Sequence, residues 1–328
     1  MDDAQGAVTL TPGVSESVGH FRDGRFFNPG VRDHGFRELL RWITTRKIGP
    51  WRKWIDSVPG PRPPAAVEGE ALRATLVNHS TVLLQTDGYN ILTDPVWSRR
   101  ASPVAFAGPE RHRDPGIRFD DLPAIHGLLI SHNHYDHFDV PTLRRIAARH
   151  RPAVFCPLRL EQPLRRLGFG DVRELDWWQS DSFGRTRVHC VPAQHFSARG
   201  PFDRNRTLWC GWVVEKPGGS IYYAGDTGFG GVFAAIRERF PAVRLALLPI
   251  GAYEPEWFMG PVHMTPEQAV EAWGTLGACE AMAIHFGTFA LADDGEREPA
   301  DRLLEALRGH PEAHRFWIPG EGEGRAIP

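Results

Sequence analysis

The stretch Ser131-His132-Asn133-His134-Tyr135-Asp136-His137-Phe138-Asp139 places three imidazoles and one carboxylate within six residues. It follows Gly127-Leu128-Leu129-Ile130, an apolar run that is typical of a buried strand. Neutral imidazole and carboxylate are common protein ligands of zinc, iron and manganese. In an extended loop, His132 and His134 can point the same way, while Asp136 and His137 can face a second metal. The stretch therefore predicts a metal centre with two positions, and the alternative is a solvated polar loop.

The composition of the whole chain narrows the class of protein. The 328 residues are 41% hydrophobic and 24% charged, which indicates a globular protein with a sizeable core. A net charge of -2 gives no sign of a nucleic-acid partner. The scattered Cys156, Cys190, Cys210 and Cys279 form no Cys-x-x-Cys pair and are expected to be reduced. With an acidic amino terminus and no long apolar run, we expect a cytoplasmic protein.

Three further candidate metal ligands follow apolar strands later in the chain. His195 follows the predicted strand Thr186–Val191, Asp226 follows residues 221–224, and His285 follows residues 281–284. Each is isolated, and a single buried histidine is more often an ordinary core residue. Their shared position after apolar strands instead favours a site assembled along one edge of stacked sheets. Asp226 lies at a strand end, flanked by Gly225 and Gly228 and followed by a predicted helix, and is well placed to bridge two cations.

Four residues are weaker candidates. Asp94 ends a predicted strand and could orient a metal-bound histidine, or be an ordinary turn carboxylate. His79 interrupts the preceding strands and either lies beneath the site or is structural. Tyr135 is a candidate pocket residue. His263, in Gly260-Pro261-Val262-His263, could hydrogen-bond or protonate a substrate oxygen, or be a loop residue without a role.

The amino-terminal region differs in character from the rest. Residues 1–33 are polar and glycine-rich, and predict a loose arm whose first anchored point is Phe26-Phe27-Asn28-Pro29. Residues 36–43 have the spacing of an amphipathic helix. Six Lys or Arg residues and three Trp residues lie between Arg37 and Trp54, as on a membrane-binding segment. The alternative is a helix packed on the protein with a solvated basic face.

These features predict a division of the chain. Residues 58–66 contain four prolines and are expected to be an extended linker. We therefore predict an amino-terminal arm and basic amphipathic segment over residues 1–66, packed on or near a main domain over residues 67–328.

The metal-ligand pattern resembles that of the metallo-β-lactamase fold superfamily. The signature there is the His-x-His-x-Asp-His loop followed by His, Asp and His at later strand ends, and the resemblance covers residues 73–319. Stretches outside the ligands resemble the N-acylphosphatidylethanolamine-hydrolysing phospholipase D family in particular. They include Phe26-Phe27-Asn28-Pro29, the Trp177-Trp178 pair and residues 249–259.

The resemblance implies an α/β fold, a four-layer αββα sandwich, and a hydrolase with two zinc ions per chain. By position, His132, His134 and His195 would hold one zinc. Asp136, His137 and His285 would hold the other, with Asp226 as the bridge. Asp136, Asp226 and His263 would be the catalytic residues.

The implied reaction is phospholipase D-type hydrolysis of N-acylphosphatidylethanolamine by a metal-bridging hydroxide, which releases phosphatidic acid and N-acylethanolamine. A lactonase or amide hydrolase acting on a small soluble substrate is the alternative on the same scaffold. A non-catalytic metal-binding scaffold is a third interpretation. The expected partner is a phospholipid or a small phosphodiester, and the expected location is cytoplasmic, peripheral at the inner face of a membrane.

Overall fold

The structure is a computed structural model that describes residues 19–32 and 34–328. In these residues the strands are β1 Phe21–Arg22, β2 Arg25–Phe26, β3 Leu72–Asn78, β4 Thr81–Thr86, β5 Tyr89–Thr93, β6 Gly127–Leu129, β7 Ala153–Pro157, β8 Val172–Leu175, β9 Ser180–Phe183, β10 Thr186–Val191, β11 Gly211–Glu215, β12 Ser220–Tyr223, β13 Val243–Pro249, β14 Glu280–Ile284, β15 Phe316–Trp317 and β16 Gly324–Ile327. The α-helices are α1 Phe36–Thr45, α2 Val140–Arg149, α3 Glu161–Arg166, α4 Val232–Arg239, α5 Glu256–Met259, α6 Pro266–Leu276 and α7 Glu298–Ala306.

Two mixed sheets of seven strands each form the centre of the fold. The first has the order β16-β3-β4-β5-β6-β7-β8 and the second β15-β14-β13-β12-β11-β10-β9. In each sheet, antiparallel hairpins on one side give way to parallel strands on the other, from β5 onward in the first and from β12 onward in the second. Strands β6, β12 and β14 are buried at every position, as expected for strands in sheets that are covered on both faces.

The main core lies between the sheets. Leu76 and Phe155 of the first sheet pack there with Trp212 and Leu247 of the second. Helices α2 and α3 cover the outer face of the first sheet, and α4, α6 and α7 cover that of the second. These four layers confirm the predicted αββα sandwich.

The described part of the amino-terminal region is anchored earlier than the sequence suggested. The predicted loose arm covers residues 1–33, and residues 1–18 and 33 of it lie outside the described residues. Within residues 19–32, β1 and β2 form a hairpin whose Phe21 and Phe26 are buried. The apolar pair packs against the main fold, so anchoring begins before the Phe26-Phe27-Asn28-Pro29 stretch.

The proline-rich segment lies along the main fold. The amide of Gly60 donates to Gly116 O at 2.8 Å, and that of Ile55 donates to His112 O at 2.7 Å. The division at residue 66 remains a prediction, because the contacts show how the segment packs and not where an independent folding unit begins.

Candidate metal centre

The candidate ligands converge at one edge of the two sheets. The stretch Ser131 to Asp139, here called the metal loop, follows β6. Asp226 follows β12, and His285 follows β14. These are parallel strands, and their carboxyl ends meet at the edge where α/β proteins commonly bind ligands. His195 arrives from the end of β10 in the second sheet. The seven candidate ligands come from four separate segments of the chain, which the topology of the sheets brings together.

His132, His134 and His195, here called the first ligand group, have ligand atoms within 4.8 Å of one another. Nε2 of His132 lies 2.9 Å from Nδ1 of His134, and Nε2 of His195 lies 3.2 Å from the same atom. His132 and His195 are buried, and His134 is partly exposed to the pocket. Three converging imidazoles with one side open are the arrangement of a catalytic rather than a closed structural metal site.

Asp136, His137 and His285, the second ligand group, lie beside the first. Nε2 of His137 is 3.2 Å from Oδ2 of Asp136, and Nε2 of His285 is 3.4 Å from the same oxygen. Oδ2 of Asp226 is 3.2 Å from His137 Nε2 and 3.0 Å from His285 Nε2. It is also 4.0 Å from the Nε2 of His132 and 3.8 Å from that of His195 in the first group. Asp226 thus stands between the two groups, where a bridging ligand would be.

The donor atoms of the site fit divalent metal ions. Among the described residues, Nε2 of His137, Nε2 of His285 and Oδ1 of Asp226 are buried without a hydrogen-bond partner. Buried polar atoms normally find partners, so these atoms require another group to satisfy them. Imidazole nitrogen and carboxylate oxygen together suit zinc and iron, among other transition metals.

Electrostatics favours a cation between the two carboxylates. Burial is the largest influence on His285 and lowers its pKa, but Asp226 and Asp136 outweigh it and raise that pKa to about 9. In the first ligand group burial prevails, and it lowers the pKa of His134 to about 4. The metal-free second group therefore holds a proton where a metal would bind, and metal binding must release it.

Asp94 supports the second ligand group from behind. Its Oδ2 accepts hydrogen bonds from His137 Nδ1 at 2.7 Å and from the Tyr223 hydroxyl at 2.5 Å. The Ser131 amide donates to Oδ1 at 2.7 Å. A carboxylate on the second nitrogen of a ligand histidine fixes its tautomer and its orientation. Tyr223 was not found by sequence reasoning, because a tyrosine inside an apolar strand carries no signal of such a role.

His79 contacts two members of the second ligand group. Its Nε2 is 2.9 Å from Oδ2 of Asp136, and its carbonyl accepts from the His285 amide at 3.0 Å. Burial, its largest influence, lowers the pKa of His79 to about 3, so the ring is neutral near pH 7. The residue has a φ of 49°, a left-handed conformation that is rare outside glycine and is concentrated at functional sites.

His263 lies against the metal centre. Its ring is 5.0 Å from that of His195 and 5.5 Å from that of His285, centroid to centroid. Thr265 and Gln268 form a reciprocal capping box at the start of α6, which fixes the chain just after His263. Burial is the largest influence on His263 and lowers its pKa to about 4. A neutral imidazole favours a hydrogen-bonding role over proton donation.

Tyr135 lies outside the lining of the metal pocket, and its predicted role stays a prediction. Its hydroxyl donates to Arg199 O at 2.6 Å, and the Arg199 guanidinium lies 4.0 Å from the ring centroid. Tyr135 lines a separate cavity beside Arg144 and Arg199 instead of the metal pocket. The loop thus places its ligands at one cavity and Tyr135 at another.

A cavity of about 640 Å³ opens above the metal centre. Helix α1 forms part of its wall, a contribution that the sequence did not suggest. Arg204 is the one Lys or Arg among the described residues that line it, and its guanidinium lies 4.1 Å from the Phe196 ring centroid. The apolar lining consists of Phe36, Leu39, Trp42, Phe196, Pro201, Ala252, Phe258, Met259, Pro261, Val262, Leu291 and Ala292.

The structure shows how the basic segment, residues 36–54, packs on the protein, and its membrane binding remains a prediction. Trp42 stacks on Phe258 at 5.0 Å and donates to Asp293 at 3.2 Å, so it packs on the main fold. Arg46 pairs with the same Asp293 at 3.0 Å. Much of the charge and indole surface expected at a membrane is therefore engaged within the protein.

In contrast to Trp42 and Arg46, three apolar side chains of α1 are exposed to solvent. Phe36 is 76% exposed, Leu40 50% and Ile43 54%. We call these three side chains the rim face, because α1 borders the mouth of the pocket. Among the described residues, no helix combines the length and the apolar character needed to cross a membrane.

Comparisons with known proteins agree with this architecture. The family model described as a beta-lactamase superfamily domain matches residues 89–286. An uncharacterized protein of Mycobacterium tuberculosis is 38% identical over 320 residues, which cover 94% of this chain and 85% of that protein. The N-acyl-phosphatidylethanolamine-hydrolyzing phospholipase D 1 of Caenorhabditis elegans is 41% identical over 249 residues, covering 72% of this chain and 70% of that protein.

A solved structure shares the fold and carries a different metal in its name. CmlA, a diiron beta-hydroxylase from Streptomyces venezuelae, superposes with a TM-score of 0.58 at 25% identity, over 80% of this chain and 54% of that chain. The likeness agrees with divalent metal binding by this chain without selecting zinc.

Proposed function

Because this chain belongs to the N-acylphosphatidylethanolamine-hydrolysing phospholipase D family of the beta-lactamase superfamily, we propose that it hydrolyses a lipid phosphodiester of that class. The products would be phosphatidic acid and N-acylethanolamine. The chain is a metal-dependent hydrolase of this superfamily. The observation that carries the finer proposal is the position of the metal centre, on the floor of a deep pocket with apolar walls.

The floor of the pocket suits an anionic reacting group. Two divalent ions held by neutral histidines and by Asp136 and Asp226 keep an excess of positive charge, which a phosphodiester can neutralise. When bound, such a metal pair polarises the phosphoryl group and activates water near neutral pH. We propose two zinc ions, held by the first and second ligand groups with Asp226 between them.

The protein's own groups orient the substrate. His263 is neutral and adjoins both His195 and His285, so it is placed to donate a hydrogen bond to a phosphoryl or leaving-group oxygen. Asp136 and Asp226 would hold the positions of the metals. The Arg204 guanidinium adds positive charge to the pocket wall.

The walls of the pocket suit acyl chains. Side chains such as Phe258, Met259 and Leu291 give the pocket a largely apolar surface. Each buried methylene contributes about 0.8 kcal/mol, so a long acyl chain gains much affinity from such walls. A small polar lactone would leave most of this surface in contact with water. This difference favours the lipid over the lactonase or amide hydrolase alternative.

The rim of the pocket suits a lipid surface as the place of reaction. The rim face is apolar and exposed, and Arg37 and Arg41 are exposed on the same helix. Phe202, which is 81% exposed, lies beside Pro201 at another part of the rim. Exposed apolar groups flanked by basic ones bind anionic membranes reversibly. We propose peripheral binding at the cytoplasmic face of a membrane, with the pocket mouth towards the lipid.

A substrate panel tests the function. Zinc-loaded protein is assayed on N-acylphosphatidylethanolamine vesicles, a soluble aryl phosphodiester, lactones and β-lactams, with Asp226→Asn as the matched inactive control. We expect the lipid to be cleaved with the highest kcat/KM and the β-lactams not to be cleaved above the control. Preferential lactone hydrolysis, with the lipid at the level of the control, would replace the proposal with the lactonase alternative.

A further inference from the structure

The hairpin of β1 and β2 is tied to the part of the fold that carries His195. Phe21 and Phe26 are buried with Ala193 and Trp209, on the segments that flank the metal ligand. The Phe26 amide donates to Asn205 O at 2.8 Å. The amino-terminal hairpin is thus packed next to the metal centre, although it supplies none of the seven candidate ligands.

Trp177, one half of the Trp177-Trp178 pair, connects the same elements. The His20 ring stacks on Trp177 with centroids 4.3 Å apart, and its Nε2 is 2.8 Å from Oδ1 of Asp176. The Trp177 indole donates to Trp209 O at 2.7 Å. Trp178 packs elsewhere, beneath the Arg239 guanidinium at 4.8 Å. The hairpin and Trp209 therefore belong to one aromatic cluster that reaches Ala193, two residues before His195.

Asn28 makes the direct connection to the metal ligand. Its Nδ2 donates to the carbonyl of His195 at 2.7 Å, and its Oδ1 accepts from the Trp209 indole at 3.0 Å. Asn28 is buried, so both bonds are shielded from water. The His195 ring is held separately, with Nδ1 3.0 Å from the carbonyl of Val262. The main chain and the side chain of this ligand are thus fixed by two different segments.

We infer that Asn28 is a positioning residue, which sets the place of His195 and thereby the metal affinity of the first ligand group. The inference rests on the proposed metal-dependent function. Metal ligands must be held close to their bonding geometry, and outer partners that orient them affect affinity by about 10–100-fold. Without Asn28, the His195 carbonyl would be buried without its donor, and the strand end could relax away from the metal.

The test separates positioning from general support of the fold. Asn28→Leu keeps a side chain that branches at Cγ and removes both hydrogen bonds. Phe26→Leu is the matched control, because Phe26 is buried in the same hairpin and its ring contacts are to His20 and Phe21, neither of which is a candidate ligand. Should Asn28→Leu fail to fold, Asn28→Asp keeps the acceptor for Trp209 and loses the donor to His195.

Metal-free proteins are titrated with Zn²⁺ alone against a chromophoric chelator, and urea unfolding of the same samples reports stability. For the Asn28 variants, we expect one of the two zinc equivalents to bind about 10–100-fold more weakly while the other is unchanged. Phe26→Leu should lower the unfolding midpoint and leave both affinities unchanged.

Two outcomes would overturn the inference. One is wild-type affinity for both equivalents in the Asn28 variants, and the other is an equal loss of affinity in Phe26→Leu. Because no substrate is present, a failure of the proposed phosphodiesterase function leaves this readout intact. Cobalt substitution gives a second readout, since a displaced imidazole changes the visible absorption of bound Co²⁺ even when affinity changes little.

Discussion

The floor and the rim of the metal pocket differ in how closely the protein constrains them. On the floor, His137, His195 and His285 are buried, and each is held by hydrogen bonds or by close charged neighbours. On the rim, none of the residues of α1 is buried. Charged ligands need fixed geometry, whereas apolar contact with a lipid needs only exposed area. We therefore expect changes on the floor to affect chemistry, and changes on the rim to affect delivery of the substrate.

The largest effect is expected for Asp226→Asn on the floor. The amide removes the negative charge that stands between the two ligand groups, which should weaken the binding of both metal ions. Removing even an outer partner of a metal ligand lowers metal affinity or activity by up to about 100-fold. Loss of the bridging carboxylate itself should therefore lower activity by at least this factor while the protein stays folded. Turnover and metal content are measured together, with unfolding as the control. Near-wild-type turnover in a fully loaded variant would remove Asp226 from the bridging position.

A change of His263 separates the chemistry from metal binding. His263→Gln keeps a hydrogen-bond donor of different reach, and kcat should fall by about 100-fold at unchanged metal content. The measurement is kcat on lipid substrate beside zinc stoichiometry. A parallel loss of zinc would make His263 a ligand, in keeping with its closeness to His195 and Asp226. An unchanged kcat would leave it without a role.

A change of His79 tests the support of the second ligand group. His79→Asn removes the imidazole and keeps a residue that tolerates the left-handed backbone. Affinity for one zinc equivalent should fall by about 10–100-fold, because Asp136 loses the imidazole partner of its Oδ2 and His285 loses the ring packed 4.2 Å from its own. Chelator competition measures the zinc affinity. Asp136→Ala serves as the reference for a protein that has lost the zinc of the second ligand group. Equal affinities in His79→Asn and the wild type would make His79 a core residue.

The two ligand groups should respond differently to pH. The pKa of His285 is raised to about 9, so below that value a proton competes with the metal in the second group. Raising the pH from 7 to 9 should increase the affinity of the second group for its metal ion by about tenfold per pH unit for each proton displaced. In the first group the pKa of His134 is lowered to about 4, and its affinity should stay constant in this range. Identical pH dependence of both equivalents would contradict the assignment of the protonated group.

The smallest effect is expected at the rim. Replacing Leu40 and Ile43 together by serine should weaken binding to anionic vesicles by about tenfold, since apolar area no longer enters the lipid. Turnover of a soluble phosphodiester should be unchanged. Leu304→Ser on α7 is the matched control, because Leu304 is 59% exposed and does not line the pocket. Cosedimentation at low and high salt measures binding, and equal sedimentation of all three proteins would exclude the rim face as a lipid contact.

The contrast between floor and rim also marks what the sequence could predict. His195, Asp226 and His285 each follow an apolar strand, and a strand end is a local signal that composition and spacing reveal. Helix α1 was predicted from its period, but a period does not say whether the stripe faces the core or a pocket mouth. Its anchors, Asp293 and Phe258, lie more than 200 residues further along the chain.

Contacts between polar residues that lie far apart in the chain could not be predicted from local sequence patterns either. Asn28 and His195 are separated by 167 residues, and no local pattern links an asparagine to the backbone of a distant histidine. The direction of the Tyr135 side chain could not be predicted, because a loop sequence gives the order of side chains and not their directions. The division of the chain at residue 66 depends on independent folding, which neither sequence nor contacts decide.

The central claim, that the metal centre cleaves a phosphorus–oxygen bond of a lipid phosphodiester, is tested most directly by isotope transfer. Metal-loaded protein hydrolyses N-acylphosphatidylethanolamine vesicles in water enriched in ¹⁸O, and mass spectrometry locates the label. We predict one ¹⁸O in the phosphate of phosphatidic acid, with unlabelled N-acylethanolamine as the other product. Label in a released fatty acid would show acyl hydrolysis instead and would contradict the claim.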